Sequence, residues 1–132
     1  MKYTILIIDD EMSIREALTE ILEDHFGHEC QCFHVGTAEE GLLFTQEKMP
    51  NLVMTDILLP KMNGIDLTRR IRALNKKIPV IVFTGGGEGD GIVKQVLLEA
   101  ATSFGAVSAL AKPFDIPAVI RTVEAALNLS AE

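Results

Sequence analysis

Apolar positions along the chain switch repeatedly between two periods. Ile5-Leu6-Ile7-Ile8 is a continuous apolar run of strand length, ended by Asp9-Asp10. Ile14, Ala17, Leu18, Ile21 and Leu22 then recur at helical spacing, with Ser13 and Glu16 as a capping-box pair and Gly27 as the stop. Residues 30–35 predict a second, weaker strand, and Thr37 with Glu40 opens a second helix by the same capping device. Leu52-Val53-Met54, closed by Thr55-Asp56, predicts a third strand. Pro60 and Gly64 punctuate the loop before a helix carrying Leu67, Ile71 and Leu74. Pro79 to Thr84 predicts the fourth strand. Val93, Val96, Leu97, Ala100, Ala101 and Phe104 then form a helical stripe, and Val107 to Ala111 predicts the fifth strand. Asp115 caps a last helix carrying Val119, Ile120, Val123 and Leu127.

Five strands thus alternate with five helices. Short strands that are apolar at every position are buried on both faces, which implies a parallel sheet covered by helices. Right-handed crossovers make this a doubly wound α/β fold with helices on both faces. No repeat or linker interrupts the pattern, so residues 1–132 read as one domain.

Composition narrows the function classes. A net charge of −7 over 132 residues argues against direct nucleic-acid binding, which needs a surplus of Lys and Arg. The longest apolar runs fall far short of the roughly 20 residues of a membrane span, and the first residues lack the layout of a signal peptide. A soluble, cytoplasmic chain is the expectation. Cys30, Cys32 and His34 alternate along a strand and so form a line, whereas zinc requires ligands that converge on a tetrahedron. Small buried thiols are the better reading.

In parallel sheets of this type, ligands bind beyond the carboxyl ends of the strands. Asp9-Asp10, Asp56, Thr84 and Lys112-Pro113 all fall at such ends. Three ionised carboxylates in one place repel by about 4 kcal/mol per pair at 4 Å in an effective dielectric near 20, so a cation among them is expected. An all-oxygen donor set favours Mg²⁺. Mg²⁺ and Lys112 together describe a holder for a phosphoryl group, and Asp56 is a possible nucleophile for one.

These residues, Ile5 through Glu11, Asp56 through Pro60 to Gly64, Thr84, and Lys112-Pro113-Phe114, resemble the receiver domain of bacterial two-component response regulators. The resemblance covers the whole chain. It implies a flavodoxin-like strand order 2-1-3-4-5, with Asp56 as phosphoacceptor from a sensor histidine kinase or phosphotransfer protein. Asp10 would bind Mg²⁺ directly, Asp9 through water, and the Leu58 backbone carbonyl would be a further ligand. Thr84 would be the switch hydroxyl and Lys112 the partner of the phosphoryl group, followed by a cis Lys112–Pro113 bond. A downstream output domain or protein would read the change. The resemblance leaves room for a homodimer through the fourth helix, fifth strand and fifth helix, although no residue here compels one.

Three positions depart from the family pattern. Ala109 stands where an aromatic residue normally couples to the Thr, so the usual readout cannot operate. Gly85 to Gly91 holds five of the ten glycines and reads either as a tolerated loop or as a segment that reorders, with the helix after it, on phosphorylation. Leu58 and Gly86 offer no side-chain group to orient a hydrolytic water, which predicts a long-lived phospho-Asp56. Two competing readings are a non-phosphorylated interaction module and a phosphatase with an Asp nucleophile. The phosphatase would need a D-x-D pattern after the first strand, and Asp9-Asp10-Glu11-Met12 lacks it. A flavin protein of this topology would want more aromatic surface than 5% aromatics and no Trp supply.

Overall fold

The computed structural model describes residues 2–84, 99–100 and 102–131. Five parallel strands form one sheet in the order β2-β1-β3-β4-β5, as expected: β1 (Tyr3–Ile8), β2 (Cys30–Val35), β3 (Leu52–Asp56), β4 (Val80–Thr84) and β5 (Ser108–Ala111). Helices α1 (Met12–Phe26), α2 (Ala38–Lys48), α3 (Gly64–Leu74) and α4 (Ile116–Ala131) follow β1, β2, β3 and β5 respectively. Residues 99, 100, 102 and 103 are helical, which matches the end of the stripe predicted between β4 and β5. Gly85 to Gly91 and the start of that stripe lie outside the described residues.

Continuous apolar strands follow from burial on both faces. Ile5 and Ile7 face one core with Leu18 and Leu22 of α1 and Val119 and Val123 of α4. Leu6 and Ile8, pointing the other way, join a second core with Ala38 of α2 and Leu67 and Ile71 of α3. All four β1 residues are fully buried. The sheet is thus clamped between two helical layers, and its strand ends sit on a rigid frame.

Several local expectations change. α1 starts at Met12 with Glu11 as an extended N-cap that makes no side-chain bond, so Ser13 and Glu16 form no capping box. The cause is Asp9, whose Oδ1 accepts from the Glu11 N–H at 2.8 Å and so sets the entry into the helix. At α2 half of the predicted box forms, with Thr37 Oγ1 accepting from the Glu40 N–H at 3.1 Å, while the Glu40 carboxylate accepts from the Thr37 hydroxyl at 2.9 Å. Gly27 ends α1 at φ +56°, a conformation glycine adopts without strain. Gly64 opens α3 rather than punctuating the loop, and Asn63 caps it by accepting from the Asp66 N–H. Leu74 and Phe104 are 40% and 44% exposed, not core. Phe104 instead carries the Arg69 guanidinium 4.4 Å above its ring.

Candidate functional site

The crossover geometry brings the predicted residues to one end of the sheet. Asp9 and Asp10 follow β1, Asp56 closes β3, Thr84 closes β4, and Lys112 follows β5 with its backbone N–H on the Thr84 carbonyl at 2.9 Å. One carboxylate oxygen from each of Asp9, Asp10 and Asp56 lies within 4.8 Å of the other two. Asp9 is fully buried, Asp56 nearly so, and Asp10 is exposed.

Each buried carboxylate is held at both oxygens. Asp9 Oδ1 accepts from the Glu11 N–H at 2.8 Å, and Asp56 Oδ1 accepts from the Leu58 N–H at 2.9 Å. Lys112 Nζ donates to Asp9 Oδ2 at 3.0 Å and to Asp56 Oδ2 at 3.1 Å. The ammonium also lies 5.4 Å from the centre of the Phe83 ring, which packs edge-on against Phe114. Burial alone would lower the Lys112 pKa. The hydrogen bond to Asp9, the charge of Asp56, the bond to Asp56 and the charge of Asp9 outweigh it and raise the value. The Lys112–Pro113 bond is cis, as expected.

Three carboxylates against one ammonium leave two negative charges in excess in a partly buried space. Hard, all-oxygen donors converging over this distance fit a small divalent cation. The thiols do not compete for that role. Burial, with Glu29 beside it, pushes Cys30 up to about 11, and burial with Glu23 and Cys30 pushes Cys32 up to about 12, so both stay protonated. Among the described residues, the acidic trio is the one cluster of three or more potential metal ligands.

Thr84 is buried beside the trio's strands. Leu58 is 60% exposed, so its side chain stands away from the buried carboxylates. Ala109 pairs with Val82 and rests on the second core, so a methyl group occupies the position of the missing aromatic. A groove of about 540 Å³ between α1 and α4, lined by Ala17, Ile21, Ile116 and Ile120 among others, contains none of the trio.

Pattern reading missed Arg15. It lies on the buried face of α1 with Leu18 and Leu22, and its Nη1 donates to the Asp9 carbonyl at 2.6 Å. The available signal was a charged residue three positions before Leu18, on the same helical face.

Comparison with known proteins agrees with this geometry. The profile of the response regulator receiver domain family matches residues 5–124. Sporulation initiation phosphotransferase F of Bacillus subtilis (strain 168) is 32% identical over 129 residues, covering 98% of this chain and 97% of that protein. NtrC, a DNA-binding transcriptional regulator of Azospirillum brasilense, is 34% identical over 95% of this chain, which spans only 24% of NtrC. Against MtrA of Mycobacterium leprae (strain TN), a DNA-binding response regulator, the chain spans 52%. Among solved structures, NtrX of Brucella abortus superposes with a TM-score of 0.86 at 28% identity over 99% of this chain and 28% of that one. A CheY-like receiver domain protein of Methanospirillum hungatei JF-1 gives 0.81 at 27% identity, covering 99% and 98%. Sequence pattern, sheet order and the acidic strand ends converge: this chain belongs to the family of response regulator receiver domains.

Proposed function

We propose that the chain, as a single receiver domain over residues 1–132, accepts a phosphoryl group on Asp56 and acts as a relay in two-component signalling. The donor is a phosphohistidine on a sensor histidine kinase or phosphotransfer protein. The observation that carries this reading is Lys112 Nζ within 3.1 Å of both Asp9 and Asp56, inside a trio of carboxylates. The similarity to a sporulation phosphotransferase along nearly its whole length supports it.

In the transfer, an Asp56 carboxylate oxygen forms a bond to phosphorus while the phosphorus–nitrogen bond of the donor breaks. The imidazole leaves with the electron pair and takes up a proton. Mg²⁺, held by Asp10, Asp56 and the Leu58 carbonyl with Asp9 acting through water, would supply charge neutralisation for the phosphoryl oxygens. Lys112 already faces Asp56 and shifts from its carboxylate to the incoming group. Thr84, at the end of the neighbouring strand, turns its hydroxyl towards a phosphoryl oxygen. Transfer of this kind depends on positioning and charge more than on covalent chemistry by the protein. The chain assists its own modification and turns over no separate substrate, so it is not an enzyme in the ordinary sense. It works in the cytoplasm, and an output domain or separate protein reads its state.

Incubation with Mg²⁺ and acetyl phosphate is expected to add one phosphoryl group by intact mass, and Asp56→Asn to add none. A native chain that stays unmodified contradicts the proposal. It would favour the alternative of a non-phosphorylated interaction module, which the methyl group of Ala109 in place of an aromatic supports. The adduct is expected to persist for minutes after the donor is removed, since Leu58 gives a hydrolytic water no polar partner. Decay within seconds in the same mass assay would contradict that expectation.

A further inference from the structure

The peptide joining Asp9 to Asp10 lies just past the end of β1. The Asp9 N–H still reaches the Val35 carbonyl of β2 at 3.3 Å, but β2 ends there. The Asp9 carbonyl points into the interior and needs a donor, because a buried carbonyl without one is costly. Arg15 provides it, with Nη1 at 2.6 Å in a buried hydrogen bond.

The guanidinium is itself fixed by two further contacts. Its Nε donates to His34 Nδ1 at 3.0 Å, and its Nη2 meets Met12 Sδ at 3.3 Å. Gly36 leaves the room, since a Cβ there would stand 3.0 Å from Nη1. An arginine fork held at three points is a rigid support.

Asp10 is the member of the acidic trio that lacks such support of its own. Asp9 and Asp56 are each held at both carboxylate oxygens, whereas among the described residues nothing hydrogen-bonds the Asp10 carboxylate. Its direction therefore depends on its backbone, and the Asp9–Asp10 peptide plane is the part of that backbone Arg15 holds.

We propose that Arg15 is a positioning residue for the cation site: by fixing the Asp9 carbonyl it aims Asp10 at the metal. This rests on the reading of Asp10 as a metal ligand. The sign of the effect separates positioning from charge. Arg15 is a cation close to a cation site, so removing it would tighten Mg²⁺ binding if charge alone mattered. Positioning demands the reverse.

The test is a Mg²⁺ titration near neutral pH of the native chain, Arg15→Met and Arg15→Lys, followed by amide NMR shifts that also report folding. Arg15→Met is expected to weaken Mg²⁺ binding on the order of 10-fold, the usual scale for losing a group that orients a ligand. Arg15→Lys keeps the charge but cannot reach both the Asp9 carbonyl and His34, and is expected to weaken binding less. Unchanged or tighter binding by a folded Arg15→Met overturns the proposal. If that variant does not fold, native affinity in Arg15→Lys overturns it. A native chain without affinity for Mg²⁺ overturns the metal reading itself, and this proposal with it.

Discussion

With Lys112 replaced by methionine, transfer from acetyl phosphate to Asp56 is expected to slow on the order of 10²- to 10³-fold, the usual cost of removing a preorganised donor to a developing charge. Mg²⁺ binding is expected to change in the opposite direction and become tighter. Both follow from one atom. Lys112 Nζ lies 3.0 Å from Asp9 Oδ2 and 3.1 Å from Asp56 Oδ2, so the ammonium and a divalent cation compete for carboxylates of the same trio. Methionine approximates the length of the side chain but removes the charge, and the three carboxylates then face the metal without an ammonium bonded to two of them. The phosphoryl group, carrying its own negative charge, loses its partner in the same step. Rates by intact mass and Mg²⁺ affinities by calorimetry check the pair of effects. A rate within tenfold of native, or weaker Mg²⁺ binding, would remove Lys112 from the proposed role.

The same residue predicts a pH dependence of stability. The folded-state pKa of Lys112 is raised above the unfolded value of 10.5, despite burial that acts the other way, by its bonds to and the charges of Asp9 and Asp56. A group raised in this sense contributes stability that is complete below 10.5 and disappears as pH climbs through the folded value. Cys30 and Cys32, also raised by burial, lose stability over an overlapping alkaline range in either chain. The difference between native and Lys112→Met therefore isolates the lysine. That difference, measured by urea unfolding, should shrink as pH rises past 10.5.

The sheet and most of the trio's setting were legible because each depended on a short, local signal. Ile5 to Ile8 could be nothing but a doubly buried strand once a polar pair ended it, and alternate residues do face two separate cores. Asp9, Asp56 and Lys112 were legible as strand-end residues, since topology alone brings strand ends together. What escaped depended on contacts between distant segments. Ser13 and Glu16 matched a cap by spacing, yet the Asp9 carboxylate had already taken the Glu11 N–H and set where α1 begins. Arg15 is one charge on a helix until the fold sets His34 of β2, and Gly36 just after that strand, beside it. Leu74 and Phe104 fitted their helical stripes, but each is the last position of its stripe, and both residues are 40% or more exposed. Periodicity identifies the face a residue occupies, while the neighbour that reaches that face is a property of the whole fold.

Gly64→Ala is expected to cost ~3 kcal/mol of stability, at the upper end for forcing one extra carbon into packed structure. The added Cβ would lie against the Asp56 carbonyl oxygen, well inside van der Waals contact, and 2.7 Å from the Ile57 Cα. Both obstacles are backbone atoms and cannot rotate away. Moving α3 outward would relieve the clash, but Leu67 and Ile71 of that helix are fully buried in the second core. It would also stretch the 2.7 Å bond from the Gly64 N–H to the Ile57 carbonyl. The remaining relief is displacement of the chain at Asp56 and Ile57, which carries the carboxylate away from Lys112 and loosens the Leu58 N–H on Asp56 Oδ1. A displacement approaching 1 Å at a reacting group can cost about 10²-fold in rate. Phosphoryl acceptance by the folded fraction should therefore fall along with stability. Urea unfolding and intact-mass kinetics on the same preparation separate the two losses. A stability cost below ~1 kcal/mol, against the 1–3 kcal/mol usual for overpacking, would show that α3 yields more easily than its buried face implies.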